Sequence, residues 1–577
     1  MHPKVSDSQN SFSVTRLRIL YGLLLLVFMI FIIRLFYLQV IRHDFYAKAA
    51  REGQFKEYQI PAERGVILAQ DGENEIPIVL NETVFTVFAD PKYINDASEA
   101  SKKVQEVIGG DKAKYEELMK AETRYSVLAK KVNKQNAEKI DNLKIKGLGT
   151  RAVSQRVYPQ GQMAAQLLGF VDDEGMGKYG VEQYLDDRLN GKNGELKAIT
   201  DAQGVPLVSN DDNVLVEPQN GERISLTIDV SMQKRAEDLL KTHLEEVRSK
   251  SGSLVIMDPN SGEIKAMANY PTYNPADFSK VEDAKVFNNA SVSEPLEVGS
   301  VMKTLTVAAG LDSGAVGANT TYYDPSFYKI GDATVTNVEE DGGAATRSIP
   351  DILSFSLNTG ATYILMQMGG GEINESARVK WHDYMTNHYM FGKQTGIEQG
   401  YEAEGSVPSP TDGFGLNIQY ANTAFGQGLN ITSVQMLSAF SATINGGTYY
   451  QPHLLVSKDK KIVKDKIINP ELSSVLRGMH ENSVAKNYTF LERDGQYRIG
   501  GKTGTAEIAK PGGGYYDDRF NGTFVGYIGG DTPEYAIMVV VNEPKVDGYA
   551  GRAAAAPLFG KTIDMLAGNY SVNRISQ

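Results

Sequence analysis

The sequence predicts an α+β protein in three parts: a single N-terminal transmembrane helix, an elongated mixed pedestal domain, and a larger domain in which helices flank an antiparallel sheet. Three observations predict this. Ile19 to Ile33 is an unbroken apolar run. Residues 41–225 mix charged helical patterns with turn-rich segments. Strand patterns then stand at both ends of residues 226–577 with helical patterns between them, so that a sheet must close from distant segments. At 577 residues the chain is also too long for one core.

Bulk composition narrows the function. Hydrophobic content of 41% and charged content of 23% are those of a folded chain. A net charge of −12 argues against nucleic acid as a partner. With no cysteine there is neither a disulfide framework nor a thiolate metal site. The 7 histidines show no metal-ligand spacing, and the glycine clusters at Gly369–Gly371 and Gly512–Gly514 lack the context of a phosphate cradle. No metal or cofactor is expected.

Each part has its own justification. Residues 1–18 read as a short cytoplasmic tail. In the anchor, residues 19–40, the run from Ile19 to Leu38 reaches roughly 30 Å as a helix, one hydrocarbon thickness, with Arg34 able to snorkel. Ala47-Lys48-Ala49 resembles a cleavage site but lies well past the apolar run, which favours a retained anchor. Flanking charge is an insensitive guide to orientation, because long domains translocate largely regardless of it. In the pedestal, residues 41–225, Arg64–Ile67 and Asp71-Gly72 read as a strand and turn. Ala97–Lys144 reads as helical, and Tyr179–Leu185 as a loop entering a helix. Nothing there has catalytic spacing. In residues 226–577, Ser253–Met257 and Glu263–Ala268 form a hairpin around a Pro, Asn and Gly turn. Thr523–Gly529 and Tyr535–Asn542 are strands, and Ala553–Ala567 is a helix.

Three short motifs in the large domain carry chemistry. Ser300-Val301-Met302-Lys303 opens an apolar helical stretch. Residues three apart share a helix face, and a serine needs an adjacent base. A lysine serves as that base when desolvation and a second cation lower its pKa, and Lys502 is the candidate second cation. Gly299 permits close backbone approach. The same S-x-x-K string starts at Ser326, Ser457 and Ser483, but Ser457-Lys458-Asp459-Lys460 has the composition of a solvated turn. Ser356-Leu357-Asn358 offers a hydroxyl to relay a proton and an amide to bind substrate. The same S-x-N string also stands at Ser8 and Ser571. Lys502-Thr503-Gly504-Thr505 has the small residues of an edge strand along which a peptide can pair. Its ammonium and hydroxyls suit a terminal carboxylate, and the N–H groups of Thr505 and Ser300 suit an oxyanion hole.

With these motifs in this order the chain resembles a class B penicillin-binding protein, the monofunctional peptidoglycan D,D-transpeptidase family. The resemblance extends through Arg64-Gly65, Leu168-Gly169-Phe170, Gly180-x-Glu182, Thr227-Ile228-Asp229-x-x-x-Gln233 and Asp258–Met267. Ser300–Thr304 and Phe425-Gly426-Gln427-Gly428 are most similar to the septal, cell-division branch. Thr432-x-x-Gln435 reads as a capping box. Glu297-Val298-Gly299 departs from the family's usual Glu-Pro-Gly, and Asn289 stands where relatives often carry Arg.

The resemblance implies a dimerisation-like pedestal, a penicillin-binding transpeptidase domain outside the membrane, and a serine acyl-enzyme. Ser300 is then the nucleophile, Lys303 its base, and Ser356 and Lys502 deliver a proton to the leaving amine. Asn358, Thr503, Gly504 and Thr505 bind substrate. Implied partners are a D-alanyl-D-alanine stem peptide, an amine acceptor, β-lactams, a membrane glycan polymerase and division proteins. The rival readings are an elongation-type transpeptidase, a D,D-carboxypeptidase, and a non-catalytic β-lactam sensor or division scaffold. Trp381, His382, His453 and His480 read as packing or surface groups, Glu507 as structural, and Gly512–Arg519 as a loop beside the cleft.

Overall fold

A computed structural model describes residues 11–46, 55–199, 214–337, 343–491, 495–510 and 514–576. Ala47-Lys48-Ala49, Ser8-Gln9-Asn10 and Gly512 lie outside these described residues. The chain divides into two compact units, one of Met1–Glu63 with Gly191–Asn220 and one of Arg64–Asn190 with Gly221–Gln577.

In the smaller unit a helix runs over Ser11–Phe36 and continues as a π-helical turn over Tyr37–Ile41. It starts before the expected Ile19 because no Gly or Pro intervenes to break it. The helix Arg16–Ile41 holds an 18-residue window with a mean hydropathy of 2.7 and is long and apolar enough to cross a membrane. Phe55–Ile60, Gly194–Ile199 and Val214–Val216 form a small antiparallel sheet.

The larger unit begins with a buried ionic knot. Arg64 meets Glu182 at 2.6 Å and Asp186 at 2.7 Å, and Arg156 meets the other Glu182 oxygen at 2.7 Å. Two of the family-like segments, Arg64-Gly65 and Gly180-x-Glu182, are thereby one structural feature. The third, Leu168-Gly169-Phe170, packs on it, since a Cβ on Gly169 would lie 2.2 Å from the Tyr179 carbonyl oxygen. The knot also explains why the strand begins at Ile67 and not at Arg64. Arg64 is committed to Glu182, and a Cβ on Gly65 would meet the Glu222 carbonyl oxygen at 1.9 Å. Glu182→Ala should leave the buried Arg156 guanidinium without its carboxylate and Arg64 with Asp186 alone, and cost about 3–5 kcal/mol, seen as a lowered melting temperature. Glu182→Gln, which keeps part of the hydrogen bonding, should cost less.

The expected turn is present at Gly72, with φ +63°, between strands Ile67–Asp71 and Asn74–Ala89. The Ala97–Lys144 pattern resolves into helices Ala97–Ile108, Lys112–Met119 and Lys134–Asn142, opened by the side chains of Asp96, Asp111 and Asn133. A strand, Ser126–Val132, interrupts them. Its alternation is masked in the sequence by Lys130-Lys131, although Ser126, Leu128 and Val132 point inward.

The centre of this unit is a five-stranded antiparallel sheet. Its order is Ile264–Tyr270, Ser251–Met257, Pro533–Asn542, Tyr515–Gly529, Arg498–Ala509. The expected hairpin and the two C-terminal strands thus pair across nearly the length of the domain. Leu254, Ile256, Val539 and Val541 face helices Val230–Glu246 and Ala556–Asn569. Val255, Met257, Met538 and Val540 face the opposite cluster, which holds helices Lys303–Asp312 and Ser433–Ile444. Covering both faces explains why these strands read as continuous apolar runs. The Ser433–Ile444 helix is buried at every residue, and it opens with the expected capping box between Thr432 and Gln435.

Candidate active site

Ser300 sits in a 3-10 turn, Gly299–Met302, that feeds the buried Lys303–Asp312 helix. Backbone packing fixes that turn. Gly299 has φ +63°, and a Cβ there would lie 2.7 Å from the Thr505 carbonyl oxygen. On its other side the Gly299 N–H donates to the Gly426 carbonyl at 3.1 Å. Thr523 Oγ1 donates to the Val298 carbonyl at 2.8 Å, and a Cβ on Gly504 would sit 2.6 Å from that same oxygen. Gly299, Gly426 and Gly504 are therefore where three backbones converge on the serine, bringing the Ser300 and Thr505 segments together as the oxyanion expectation requires.

Lys303 lies fully buried under Ser300. Its Nζ is 3.0 Å from Ser300 Oγ, 2.7 Å from Asn358 Oδ1, 2.5 Å from the Ser356 carbonyl oxygen and 3.2 Å from Ser356 Oγ. Desolvation first, then the charge of Lys502, holds its pKa well below the usual lysine value. A neutral amine has two hydrogens and one lone pair. Given to the two closest acceptors, Ser356 O and Asn358 Oδ1, those hydrogens leave the lone pair for the Ser300 O–H. Burial likewise brings Lys502 down to about 7, while its Nζ donates to the Thr503 carbonyl at 2.9 Å.

Ser356 stands in a tight turn between two helices. Ser356 has φ +58°, a left-handed conformation that costs a non-glycine residue free energy. The next helix, Asn358–Met368, is locked to a hairpin, since Asn358 Nδ2 donates to the Thr336 carbonyl at 3.0 Å and Thr359 N–H to Asn337 Oδ1 at 3.0 Å. Asn358 thus orients Lys303 with its oxygen and the hairpin with its nitrogen. Its second amide hydrogen has no partner among the described residues.

A cavity of about 810 Å³ connects these groups. Ser300, Ser356, Asn358, Lys502, Thr503 and Thr505 line it. Lys303 lies buried beneath Ser300, and Gly504 does not line the cavity but packs against the Val298 carbonyl. The Lys502 motif lies on Arg498–Ala509, which is an edge strand, as the sequence predicts. Sequence reasoning missed several neighbours. Tyr488 and Thr503 share a hydrogen bond between hydroxyls at 2.8 Å. Gln427 Nε2 donates to Glu507 Oε2 at 2.9 Å, and both residues line the cavity. Phe425-Gly426-Gln427-Gly428 was a signal for that wall, whereas nothing around Tyr488 marks it in the sequence.

The competing motifs fall away. Ser457 is exposed in a turn, its Oγ on the Asp459 carbonyl. Ser483 lines the cavity, yet its hydroxyl donates to the Leu353 carbonyl and Lys486 lies over the Phe355 ring, 3.9 Å from its centre. Trp381 packs in the core with its indole N–H on Thr423, and burial pushes His480 down to about 3. The loop expected up to Arg519 is strand from Tyr515 onward, and Tyr515 donates to Glu297 at 2.9 Å. Neither Tyr515 nor Tyr516 lines the cavity.

Comparison with known proteins gives the same result from a separate direction. The family model of the penicillin-binding protein transpeptidase domain matches residues 252–564, and that of the penicillin-binding protein dimerisation domain matches residues 59–226. Stage V sporulation protein D of Bacillus subtilis is 30% identical, over 94% of this chain and 84% of its own. Peptidoglycan D,D-transpeptidase FtsI of Escherichia coli is 27% identical, over 97% and 92%. Among solved structures, penicillin-binding protein 2X of Streptococcus thermophilus shares the fold with a TM-score of 0.69 at 21% identity, over 90% of this chain and 83% of that one. Motif order, a buried lysine under a serine, and both domain models converge, and the chain belongs to the class B penicillin-binding proteins.

Proposed function

We propose that this protein is a serine D,D-transpeptidase that cross-links peptidoglycan stem peptides, with Ser300 as the acylated residue. The observation that carries the reading is the buried Lys303 amine 3.0 Å from Ser300 Oγ, with Lys502 nearby to disfavour its protonation. Ser300 Oγ attacks the penultimate carbonyl of a D-alanyl-D-alanine donor as Lys303 takes its proton. The oxyanion accepts from the backbone N–H groups of Ser300 and Thr505. Ser356, within reach of Lys303, passes a proton toward the leaving D-alanine amine, aided by Lys502. Lys502, Thr503 and Thr505 hold the terminal carboxylate. An amine from a second stem peptide then attacks the acyl-enzyme, the steps running in reverse. A β-lactam follows the first half of this course and stays attached.

The same reading assigns residues 1–18 to a cytoplasmic tail, 19–40 to a single-pass anchor, 41–225 to a pedestal and 226–577 to an extracytoplasmic catalytic domain. The apolar Arg16–Ile41 helix supports the anchor. A septal role rests on the Ser300–Thr304 and Phe425–Gly428 segments. It brings with it a membrane glycan polymerase and division proteins as partners. Label confined to the side wall in dividing cells expressing a tagged protein would defeat the septal role. The test of the chemistry is intact-protein mass after exposure to a β-lactam. We expect one covalent adduct on the wild-type protein and none on Ser300→Ala. An adduct that persists on the variant would overturn the assignment.

A further inference from the structure

The catalytic cavity is electrostatically lopsided. On the Arg498–Ala509 strand, Thr503, Thr505 and Glu507 alternate along one side and all line the cavity. Lys502 and Arg552 supply its positive charge. Glu507 is the only carboxylate among the described residues lining it. Gln427 Nε2 holds Glu507 Oε2 at 2.9 Å, and no ion pair to a described cation accompanies that bond. Glu297, close enough to feel the Glu507 charge, is likewise without a cation among the described residues. One Glu297 oxygen accepts from the Gly428 N–H and Tyr515 O–H, and the other is buried without a hydrogen bond. A carboxylate left unpaired in a partly enclosed wall, beside a second one, is an unfavourable arrangement for the empty protein and a favourable one for a cation.

We propose that Glu507 is a specificity-determining residue that binds a side-chain ammonium on the donor peptide, one or two residues upstream of the residue whose carbonyl Ser300 attacks. The inference rests on the transpeptidase reading above, which puts the donor's terminal carboxylate at Lys502 and the Thr503 and Thr505 hydroxyls. A peptide added to this edge with its carboxylate there runs antiparallel to the strand, its upstream residues passing Thr505 and then Glu507. Two strand residues advance roughly 7 Å, so Glu507 stands beside the positions just upstream of the acyl residue. Substrate and groove then match in polarity, anion to Lys502 at one end and cation to Glu507 at the other. The hydrogen bond from Gln427 fixes the Glu507 carboxylate, so little ordering remains to be done on binding.

The test compares two donors, acetyl-lysyl-D-alanyl-D-alanine with its side-chain amine free or acetylated, by D-alanine release. For the full-length wild-type protein in detergent, kcat/KM should favour the free amine by about tenfold to hundredfold, and less as salt is raised. In Glu507→Gln, checked for folding by its melting curve, that ratio should fall to near one. A wild-type ratio near one would overturn the proposal while leaving the Ser300 chemistry intact, and it needs no variant to be read. A ratio that survives in Glu507→Gln would overturn the assignment to Glu507. No release from either donor, with no β-lactam adduct, would overturn the transpeptidase reading and this inference with it.

Discussion

Lys303→Met should slow β-lactam acylation of Ser300 by about 10²–10⁴-fold, the range that a positioned general base supplies. Methionine fills much of the same buried volume and removes a desolvated amine, so the fold should survive. What is lost is the lone pair 3.0 Å from Ser300 Oγ. The pH dependence is a sharper test. Lys303 accepts the serine proton only when neutral, so acylation should rise with pH through the Lys303 pKa and level off above it. Lys502→Met removes the second charge that lowers that pKa, so the rising limb should move to higher pH. Stability has its own sign. Lys502 is near 7 in the folded protein and near 10.5 when unfolded, so between those values the unfolded chain binds the extra proton. Stability therefore rises with pH across that window, and Lys502→Met should flatten the rise. Acylation of Lys303→Met within a few-fold of wild type would remove Lys303 from the base role.

These expectations were largely legible in the sequence because the chemistry is local in sequence. Ser300 and Lys303 are three apart, and a helical turn alone puts them on one face. The pairing of the Ser251–Met257 strand with Pro533–Asn542 was legible as well, because apolar runs at the two ends of a domain with helices between them have few other ways to be buried. What was not legible depends on contacts between distant segments. Nothing around Asn358 announces that its oxygen would hold Lys303 while its nitrogen holds Thr336. The Tyr488–Thr503 hydrogen bond joins residues whose neighbours carry no motif. Glu507 read as structural because the sequence shows its strand but not which side of it faces the cavity. The Ser126–Val132 strand was lost among helices because Lys130-Lys131 break its apolar alternation. The anchor helix runs longer than its apolar stretch because helix ends follow backbone propensity, whereas hydropathy marks only what needs lipid.

Gly426→Ala should abolish acylation, and Gly428→Ala, two residues on in the same motif, should not. Both glycines have positive φ, +89° and +71°, so alanine pays a left-handed backbone penalty of about 1–2 kcal/mol at either place. They differ in what the new methyl meets. At Gly428 the nearest atom is the Gln419 carbonyl oxygen at 3.8 Å, an ordinary contact, and the N–H to Glu297 is retained. At Gly426 the methyl would lie 2.0 Å from the Gly299 carbonyl oxygen and 2.8 Å from its nitrogen. Neither atom belongs to a flexible side chain. Relief requires the Gly299–Met302 turn to move, and that turn is pinned on its far side by the Thr505 backbone and by Thr523 on Val298. A shift of about 1 Å in a nucleophile is enough to cost about 10²-fold in rate. Gly426→Ala should therefore lose at least that much acylation and several kcal/mol of stability, while Gly428→Ala loses only the backbone strain. Equal acylation by the two variants would mean that the Phe425–Gly428 wall does not set the position of Ser300. In that case the serine would be held by its own helix and by the Thr505 and Thr523 contacts.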